Sequence, residues 1–305
     1  MTSSGPLSGL VVIDLTRVLA GPFCTMMLAD MGAEVIKVER PEGGDDSRAF
    51  GPFVNEESAY FMSINRGKKS VTLDLKSLRG KDLLKRLVKD ADVVIENFKP
   101  GVMDKLGLSW QTLSDLNPRL IYAAASGFGR TGPYSDRPAY DLVIQGMGGL
   151  MSITGSDPKH PTKVGSSIAD ILAGCFTTIG ILSALQSRHQ SGRGQLVDVG
   201  MLDCMVAILE NAIARYVGTG KNPEPIGNRH PSIAPFTTVP TKDGAITIAC
   251  GNDDLWRRFC SLTRLEAIIA DPRFAINPDR VKNWHDLEPI INDAFECSFR
   301  FHCSE

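Results

Sequence analysis

Residues 10–41 constrain the fold more than any other part of the chain; they are LVVIDLTRVLAGPFCTMMLADMGAEVIKVERP. Leu10 to Leu15 is a short aliphatic and β-branched run, typical of a parallel strand buried on both faces. Pro22 suits a first helical turn, where its missing N–H loses no partner, and Gly32 suits the end of that helix. Because Ala33 to Val38 predicts a second strand, the stretch predicts a βαβ unit. Ligands of such units bind beyond the carboxyl ends of the strands.

The same alternation of strands and helices continues to residue 126. The predicted strands are Ser70 to Leu75, Asp92 to Glu96 and Leu120 to Ser126, and the predicted helices are Arg79 to Lys89, Gly101 to Leu106 and Gln111 to Asn117. This order predicts an α/β protein with a doubly wound, Rossmann-like parallel sheet. Further helices are predicted at Pro138 to Leu150, Asp170 to His189 and Val197 to Val217. For the last of these, a strand-like start at Gln195 to Val199 is the alternative. The large domain is therefore predicted to span residues 1–217.

A change in composition marks a second domain. Residues 218–235 contain four prolines and three glycines and are predicted to be a linker. The alternating pattern around Lys242, Asp243 and Gly244 then predicts a β-hairpin. Helices are predicted at Asp253 to Ser261 and Leu287 to Phe295. Residues 236–305 are thus predicted to form a small α+β domain.

Composition and charge narrow the class of protein. The net charge is -2 and the basic residues are scattered, which argues against a nucleic-acid partner. The N-terminus lacks the features of a secretory signal, and the apolar stretch Ile168 to Leu185 is interrupted by polar residues and predicts a buried helix instead of a membrane span. We therefore predict a cytoplasmic protein with no membrane partner. The cysteines form no C-x-x-C pair and are predicted to be reduced thiols; they are Cys24, Cys175, Cys204, Cys250, Cys260, Cys297 and Cys303.

Several common catalytic motifs are missing from the sequence. The turn after Leu15 is TRVLAGP, without the G-x-G-x-x-G of dinucleotide-binding dehydrogenases, and no G-x-x-x-x-G-K-[ST] loop occurs. Phosphates bound at this edge are therefore expected to contact side chains. The histidines have neither metal-ligand spacing nor a G-x-S-x-G setting, which predicts no metal site and disfavours serine hydrolysis; they are His160, His189, His230, His285 and His302.

Asp170 is the candidate catalytic residue. It stands in the first turn of the predicted apolar helix, where unpaired N–H groups and the helix dipole stabilise a carboxylate. Because aspartate is also a common helix cap, a purely structural role stays open at this point. Gly165 to Ser167 and the stretch Gly146 to Gly149 offer backbone N–H groups that suit an oxyanion. With an ordinary pKa of about 3.9, an ionised aspartate attacks a carbonyl without a general base.

Five blocks of sequence, in this order along the chain, resemble one family. The blocks are VVIDLTRVLAGPFCTMMLADMGAEVIKVERP, VTLDLK, VIENFKPG, GFGRTGPYSDRPAYD and VGSSIADILAG. Together they resemble the class III coenzyme A transferases, the formyl-CoA and carnitine CoA-transferase family. The resemblance extends from Leu7 to about Asp293.

The resemblance implies a covalent route through Asp170. The aspartate attacks the thioester of an acyl-CoA to give a mixed anhydride, and the thiolate returns to give an aspartyl-CoA thioester. A carboxylic acid, at family level a dicarboxylic acid, then takes the CoA. Coenzyme A and acyl-CoA are substrates, and no permanently bound cofactor is expected. The family also implies an interlocked homodimer.

The resemblance further implies which residues bind CoA. Arg40 suits pairing with a phosphate, whereas Lys105 stands where some members have arginine and would give a point-charge contact instead of a bidentate one. Apart from the resemblance, both side chains are equally well explained as solvated surface charges. Tyr140 and Asp141 are expected at the reacting end. The full set is Leu19, Ala20, Arg40, Leu73, Lys76, Asn97, Phe98, Lys99, Lys105, Tyr140 and Asp141.

Two alternatives accompany this interpretation. The 2-methylacyl-CoA racemases, a sister group, also resemble the chain and move an α-proton with a histidine and an aspartate. Tyr140 stands at the position of that histidine, and tyrosine is a poor base at neutral pH because its ordinary pKa is about 10. The last residues, ECSFRFHCSE, do not resemble the family and suggest C-terminal truncation. The second alternative is therefore an inactive remnant that binds CoA.

Overall fold

The computed structural model describes residues 5–296. These residues form two compact units, one of residues up to Met151 together with Lys163–Lys221, the other of Ser152–Thr162 together with residues from Asn222 onward. The domain limits at residues 217 and 236 stay predictions. Cys297, Cys303 and the unusual C-terminal sequence from residue 297 lie outside the described residues.

The strands and helices alternate over most of the first unit. The strands are β1 (Val11–Asp14), β2 (Glu34–Glu39), β3 (Phe53–Val54), β4 (Glu57–Ser58), β5 (Lys69–Thr72), β6 (Val93–Glu96), β7 (Ile121–Ser126), β8 (Leu196–Gly200), β9 (Phe236–Thr241) and β10 (Gly244–Ala249). The α-helices are α1 (Ala20–Asp30), α2 (Ala59–Asn65), α3 (Leu78–Lys89), α4 (Val102–Lys105), α5 (Trp110–Leu116), α6 (Asp141–Met147), α7 (Leu150–Ile153), α8 (Ile168–Ser191), α9 (Met201–Ala207), α10 (Glu210–Thr219), α11 (Asp253–Thr263), α12 (Asn277–Lys282) and α13 (Trp284–Glu296). Short 3-10 helices lie at Asp46–Ala49 and Glu266–Ile268.

A six-stranded parallel sheet confirms the predicted α/β fold. Its strand order is β5-β2-β1-β6-β7-β8. The chain thus places β2 and β5 on one side of β1, and then places β6, β7 and β8 on the other side. Val12 of β1 pairs with Val35 on one side and Val93 on the other. The order reverses between β1 and β6, and in open sheets of this kind ligands bind at the carboxyl ends of the strands near that reversal.

Both faces of the sheet are covered by helices. On one face, Cys24 and Leu28 of α1 and Ile181 of α8 pack against the sheet residues Val12 and Val93. On the other face, helices α3, α4 and α5 contribute Leu84, Val88, Met103 and Leu113. Because the central strands are buried on both faces, they contain apolar residues in succession instead of alternating ones.

Helix α8 is the longest of the described helices. Its 24 residues are long and apolar enough to cross a membrane by length and composition. In this structure it packs against α1 and the sheet. Gly174 lies so close to the carbonyl oxygen of Ala20 that a Cβ there would come within 2.8 Å, and Gly180 is similarly close to Val197. The glycines therefore permit close packing of a core helix.

Two predicted helices were wrong in extent. The helix predicted over Pro138 to Leu150 ends at Met147, because Gly149 adopts a positive φ of 86° and separates α6 from α7. The helix predicted over Val197 to Val217 begins only at Met201 and breaks between α9 and α10. Its first residues pair with β7 as the edge strand β8, which confirms the alternative of a strand-like start at Gln195 to Val199.

The second unit is α+β, as predicted. The β9–β10 hairpin pairs Gly244 with Thr241 across the predicted turn. The core of the second unit contains Trp256 and Phe274. The fully buried Arg280 donates from Nε to the carbonyl oxygen of Ala234 at 2.6 Å.

Candidate active site

The carboxyl ends of β1, β2 and β6 border a cleft of about 290 Å³. Four of the predicted CoA-binding residues line it, namely Arg40, Leu73, Lys76 and Phe98. Arg17 lines the cleft as well; it follows β1 at the indicated edge but is not among the predicted CoA-binding residues. The sequence indicated this edge of the sheet, and the structure shows a cleft there that is lined by three cationic side chains and by apolar residues.

The loop after β1 is held in an unusual conformation beside this cleft. Val18 has a φ of 67°, which is rare for a β-branched residue and marks a position that its surroundings enforce. Arg17, the residue before Val18, is held by Asn97. The Asn97 side chain accepts from the Arg17 N–H and donates to the Arg17 carbonyl, each at 2.8 Å. The Arg17 guanidinium lies over the Phe98 ring, 5.3 Å from its centroid. Asn97 therefore shapes the loop instead of lining the cleft.

Buried charges that the sequence analysis missed support the same loop from below. Lys68 contacts Asp14 at 3.2 Å, and Lys37 contacts Asp45 at 2.8 Å; all four side chains are at most 2 % exposed. Burial alone would raise the pKa of Asp14, but Lys68 and Lys37, together with two threonine hydroxyls, lower it to about 2. Lys37 also donates to the Thr16 carbonyl at 2.8 Å. The sequence signal that could have revealed these ion pairs was a charged residue within a strand that was predicted to be buried.

The remaining predicted CoA-binding residues lie around this edge in different environments. Leu19 and Ala20 are buried, Leu19 as the residue that precedes α1 and Ala20 as its first residue. Lys99 and Lys105 are exposed and do not line the cleft. Tyr140 is 79 % exposed and directly precedes α6. The binding roles of all eleven residues stay predictions.

Asp170 lies at the third residue of α8 but does not cap it. Helix α8 begins after Ser167, which makes no side-chain capping bond. The carboxylate that caps this helix belongs to Asp141, whose Oδ1 accepts from the Ala169 N–H at 2.9 Å. Within residues 5–296, the Asp170 carboxylate has no hydrogen-bond or ion-pair partner. The structural interpretation of Asp170 as a helix cap is therefore wrong.

The loop that leads into α8 is held by α6. The buried Gln145 side chain donates to Asp141 Oδ2 at 2.7 Å and accepts from the Val164 N–H at 2.8 Å. The Gly148 and Gly149 N–H groups are bonded to the carbonyls of Ile144 and Gly146, so these two donors are not free for an oxyanion. Helix α6 thus contributes a positioning network instead of the expected glycine donors.

The ends of three helices meet around Asp170. Gly174, one turn further along α8, contacts the Ala20 carbonyl at the start of α1. Tyr60 of α2 packs in the cluster that contains Leu19. Burial raises the pKa of Tyr60, and the negative charge of Asp170 raises it further. Tyr60 is a site residue that sequence analysis missed, because α2 was not predicted.

The ionisation of Asp170 differs from the sequence-based expectation. Burial, together with the charge of Asp141, raises its pKa to about 7. At neutral pH, a substantial fraction of this carboxyl is therefore protonated. The same burial leaves its ionised form poorly solvated, which makes it a stronger nucleophile than an exposed carboxylate.

A second carboxyl with a raised pKa lies at the end of β6 and is buried. Burial raises the pKa of Glu96 to about 7. Its Oε2 accepts from the Phe98 N–H at 2.8 Å, and its Oε1 accepts from the Tyr122 hydroxyl at 3.2 Å. Glu96 thereby orients the backbone of a cleft residue.

Among residues 5–296, no group of three or more His, Cys, Asp or Glu side chains is placed to hold a metal ion.

Comparison with known proteins identifies the family of the chain. The model of CoA-transferase family III matches residues 7–300. The chain belongs to CoA-transferase family III. It is 46% identical over 291 residues to an acetyl-CoA:oxalate CoA-transferase from Acetobacter aceti, with 95% of this chain and 75% of the relative covered. It is 48% identical over 294 residues to a succinate–glutarate CoA-transferase from Agrobacterium fabrum, with 94% of this chain and 74% of the relative covered.

Solved structures of the family share the fold. A CaiB/BaiF family protein from Brucella suis superposes with a TM-score of 0.86 at 45% identity, covering 97% of this chain and 79% of that protein. Membership of family III makes the chain a CoA-transferase that acts on CoA thioesters. The predicted family and enzyme class are therefore confirmed, and the racemase alternative loses its support.

The raised pKa of Asp170 predicts a pH-dependent effect of its removal on stability. Between about pH 4 and pH 7 the folded protein keeps a proton on Asp170 that the unfolded chain releases, so this group's contribution to stability falls as the pH rises. Asp170→Asn does not titrate. We expect the variant to match the wild type near pH 4 and to exceed its free energy of unfolding by about 4 kcal/mol at pH 8, because the pKa of Asp170 is raised from 3.8 to about 7.

Urea denaturation of both proteins at pH 4, 6 and 8 measures this difference. The titration of Glu96 is common to both and cancels in the comparison. Asp30→Asn is the matched control, because Asp30 forms an exposed pair with Arg66. A stability difference between wild type and Asp170→Asn that stays constant with pH would contradict the raised pKa.

Proposed function

We propose that this family III enzyme transfers CoA from an acyl-CoA to a dicarboxylic acid through covalent intermediates on Asp170. The observation that supports it most directly is that the Asp170 carboxyl has no hydrogen bond or ion pair within residues 5–296, while Asp141 caps the helix. A carboxylate with no structural task, held where the ends of three helices meet, is free to form and break bonds. The other predicted roles follow from this one.

The reaction consists of four balanced acyl transfers. An Asp170 oxygen attacks the thioester carbon of the donor, the C–S bond breaks, and a mixed anhydride and CoA thiolate form. The thiolate attacks the Asp170 carbonyl of the anhydride, which releases the donor acid and leaves an aspartyl-CoA thioester. The acceptor carboxylate attacks the carbonyl carbon of this thioester, its C–S bond breaks, and a second anhydride and CoA thiolate form. The thiolate then attacks the acceptor carbonyl, which yields the new acyl-CoA and restores Asp170.

Each thioester is replaced by another, so the transfer is close to energetically neutral and consumes no ATP. The main requirement is that the thiolate and the departing acid stay next to the anhydride. Holding reactants together in this way contributes about 7 to 11 kcal/mol to lowering a barrier. Burial around Asp170 also limits hydrolysis of the anhydride by excluding water.

The cleft at the ends of β1, β2 and β6 is proposed to hold the CoA nucleotide. Arg40 and Lys76 supply cations for its phosphates, and Leu73 and Phe98 supply apolar surface. Leu19 and Ala20 link this cleft to Asp170, because Ala20 contacts α8 one turn from it. Asn97 and Asp141 are proposed to act by holding the loops of the site. Lys99, Lys105 and Tyr140 contribute from the exposed rim.

The acceptor class rests on the relatives. Their names specify oxalate in one case and succinate with glutarate in another. All three acids carry two carboxylates, so we propose a dicarboxylate acceptor for this enzyme too. We also propose that the enzyme works in the cytoplasm as a homodimer, for which the exposed apolar side chains Leu142 and Val143 of α6 and Val217 of α10 provide contact surface.

Trapping the intermediate tests the proposal. The full chain is incubated with succinyl-CoA or acetyl-CoA and hydroxylamine, without acceptor, and its peptides are analysed by mass spectrometry. We expect a hydroxamate on Asp170 that is lost in Asp170→Ala and retained in the surface control Asp30→Asn. A parallel assay of both donors against oxalate, succinate and glutarate identifies the acceptor. Transfer without any label on Asp170 would refute the covalent route.

A further inference from the structure

Two arginines face the same side of the cleft. Arg17 follows β1 and Arg40 follows β2, and both line the cleft. The Arg17 backbone is held by both ends of the Asn97 side chain. The Arg17 guanidinium also rests over Phe98. The pair is therefore built into the cleft and is not a chance meeting of surface charges.

Asp46 bridges these arginines. Its Oδ1 lies 2.7 Å from Arg40 Nη2, and its Oδ2 lies 3.3 Å from Arg17 Nη1. The side chains of Asp46, Arg17 and Arg40 are 36%, 46% and 53% exposed, respectively. The place that one anion can occupy between two guanidiniums is thus filled by a carboxylate of the protein itself.

The position of Asp46 is set by buried neighbours. Asp45 caps the 3-10 helix that Asp46 begins, because it accepts from the Ser47 N–H at 2.9 Å. Asp45 is in turn paired with the buried Lys37. The Asp46 carboxylate therefore stays close to the arginines even when it is not bonded to them.

We propose that Asp46 is an internal competitor, an anion that occupies the Arg17–Arg40 pair in the empty enzyme and is displaced by a phosphate of CoA. This inference rests on the proposed CoA site and adds two residues to it, Arg17 as a second phosphate ligand and Asp46 as its gate. Exposed ion pairs contribute little, so a phosphate can displace the carboxylate at small cost. Guanidiniums bind a phosphate through several charge-assisted hydrogen bonds.

The displaced carboxylate remains near the bound phosphate and repels it. Asp46 therefore weakens CoA binding and speeds release of the CoA product. Solvent screens this repulsion, because the side chains of Asp46, Arg17 and Arg40 are all at least 36% exposed. We accordingly expect Asp46→Asn to bind CoA about three- to tenfold more tightly than the wild type.

Isothermal titration of CoA into the full chain measures this effect. Asp30→Asn serves as the matched control, since it also breaks an exposed arginine–aspartate pair but lies at the far end of α1. The gain in affinity should be specific to Asp46→Asn and should shrink as salt is raised. Titration with 3′-dephospho-CoA identifies the displacing group: the 3′-phosphate if the gain disappears, the pyrophosphate if it persists.

A second pair of variants separates competition from a merely structural effect. In an Arg17→Gln background, Asp46→Asn should give less than half of its original gain, because the site it blocks has lost a cation. In steady-state transfer, Asp46→Asn should lower the KM for acyl-CoA without raising kcat.

Two failures are distinguishable. If the wild type binds CoA and Asp46→Asn binds it equally or more weakly, the role of Asp46 as an internal competitor is refuted and the proposed function stands. If the wild type itself binds no CoA, the proposed CoA site fails and the gate fails with it.

Discussion

Replacing Asp170 by asparagine should abolish CoA transfer, lowering kcat by about four orders of magnitude or more. Asparagine keeps the shape of the side chain but has no nucleophilic oxygen to form the anhydride. Because Asp170 makes no hydrogen bond or ion pair within the described part of the chain, the substitution should leave the fold intact. Rates of CoA exchange between a donor and a dicarboxylate, followed by separation of the acyl-CoA species, measure the loss.

Binding and catalysis separate in this experiment. Asp170→Asn and Asp170→Ala should both bind CoA with nearly the affinity of the wild type, since the cleft proposed to hold the nucleotide is formed by other residues. Asp141→Asn should give a smaller loss of kcat, because Asp141 positions the start of α8 and contacts no reacting atom in the proposed route. If Asp141→Asn were inactive and Asp170→Asn were active, the roles of the two aspartates would have to be exchanged.

Replacing Lys68 by methionine should lower the free energy of unfolding by about 3 to 5 kcal/mol. Lys68 is 2 % exposed and bonds to Asp14 at 3.2 Å, to the Pro22 carbonyl at 3.0 Å and to Asn65 Oδ1 at 2.8 Å. It thus joins β1, α1 and α2 beneath the site. Methionine fills similar volume but leaves the buried Asp14 carboxylate with a weaker set of partners.

The mechanism of this loss is testable with a second substitution. If the cost arises from an unpaired buried charge, Asp14→Asn in the Lys68→Met background should recover part of the stability. Lys69→Met is the matched control, because Lys69 follows directly in sequence but forms an exposed pair with Glu34. Urea denaturation of the four proteins at pH 7 provides the comparison. Equal losses for Lys68→Met and Lys69→Met would show that the pair with Asp14 has no special weight.

Lys68 illustrates what local sequence does not reveal. It belongs to the run Arg66, Gly67, Lys68, Lys69, which has the composition of a solvated basic segment. One lysine of this run is exposed and its neighbour is buried in an ion pair with a strand more than fifty residues away. The difference depends on how α2 and β5 pack, which the run itself does not encode.

The sheet and its ligand-binding edge could be predicted because their signals are local. A strand buried on both faces needs consecutive apolar residues, and a helix needs a periodic apolar face, so β1, β2, β6 and β7 were recognisable from short windows. Helix α2 and the 3-10 helix at Asp46–Ala49 were missed, because they are short and held mainly by tertiary contacts. The break at Gly149 was missed for a related reason, since a positive φ is chosen by the surrounding structure.

The sequence by itself determined the α/β sheet, the edge at which we propose that ligands bind and the identity of Asp170 as the residue to examine. The tertiary structure decided the state of that residue. It placed Asp141, 29 positions earlier, so that Asp141 caps α8, Asp170 has no hydrogen bond or ion pair within residues 5–296, and the charge of Asp141 helps raise the pKa of Asp170 to about 7. The physical reason is that apolar periodicity acts through neighbours in the chain, whereas the charge of a buried group depends on every atom that replaces water around it.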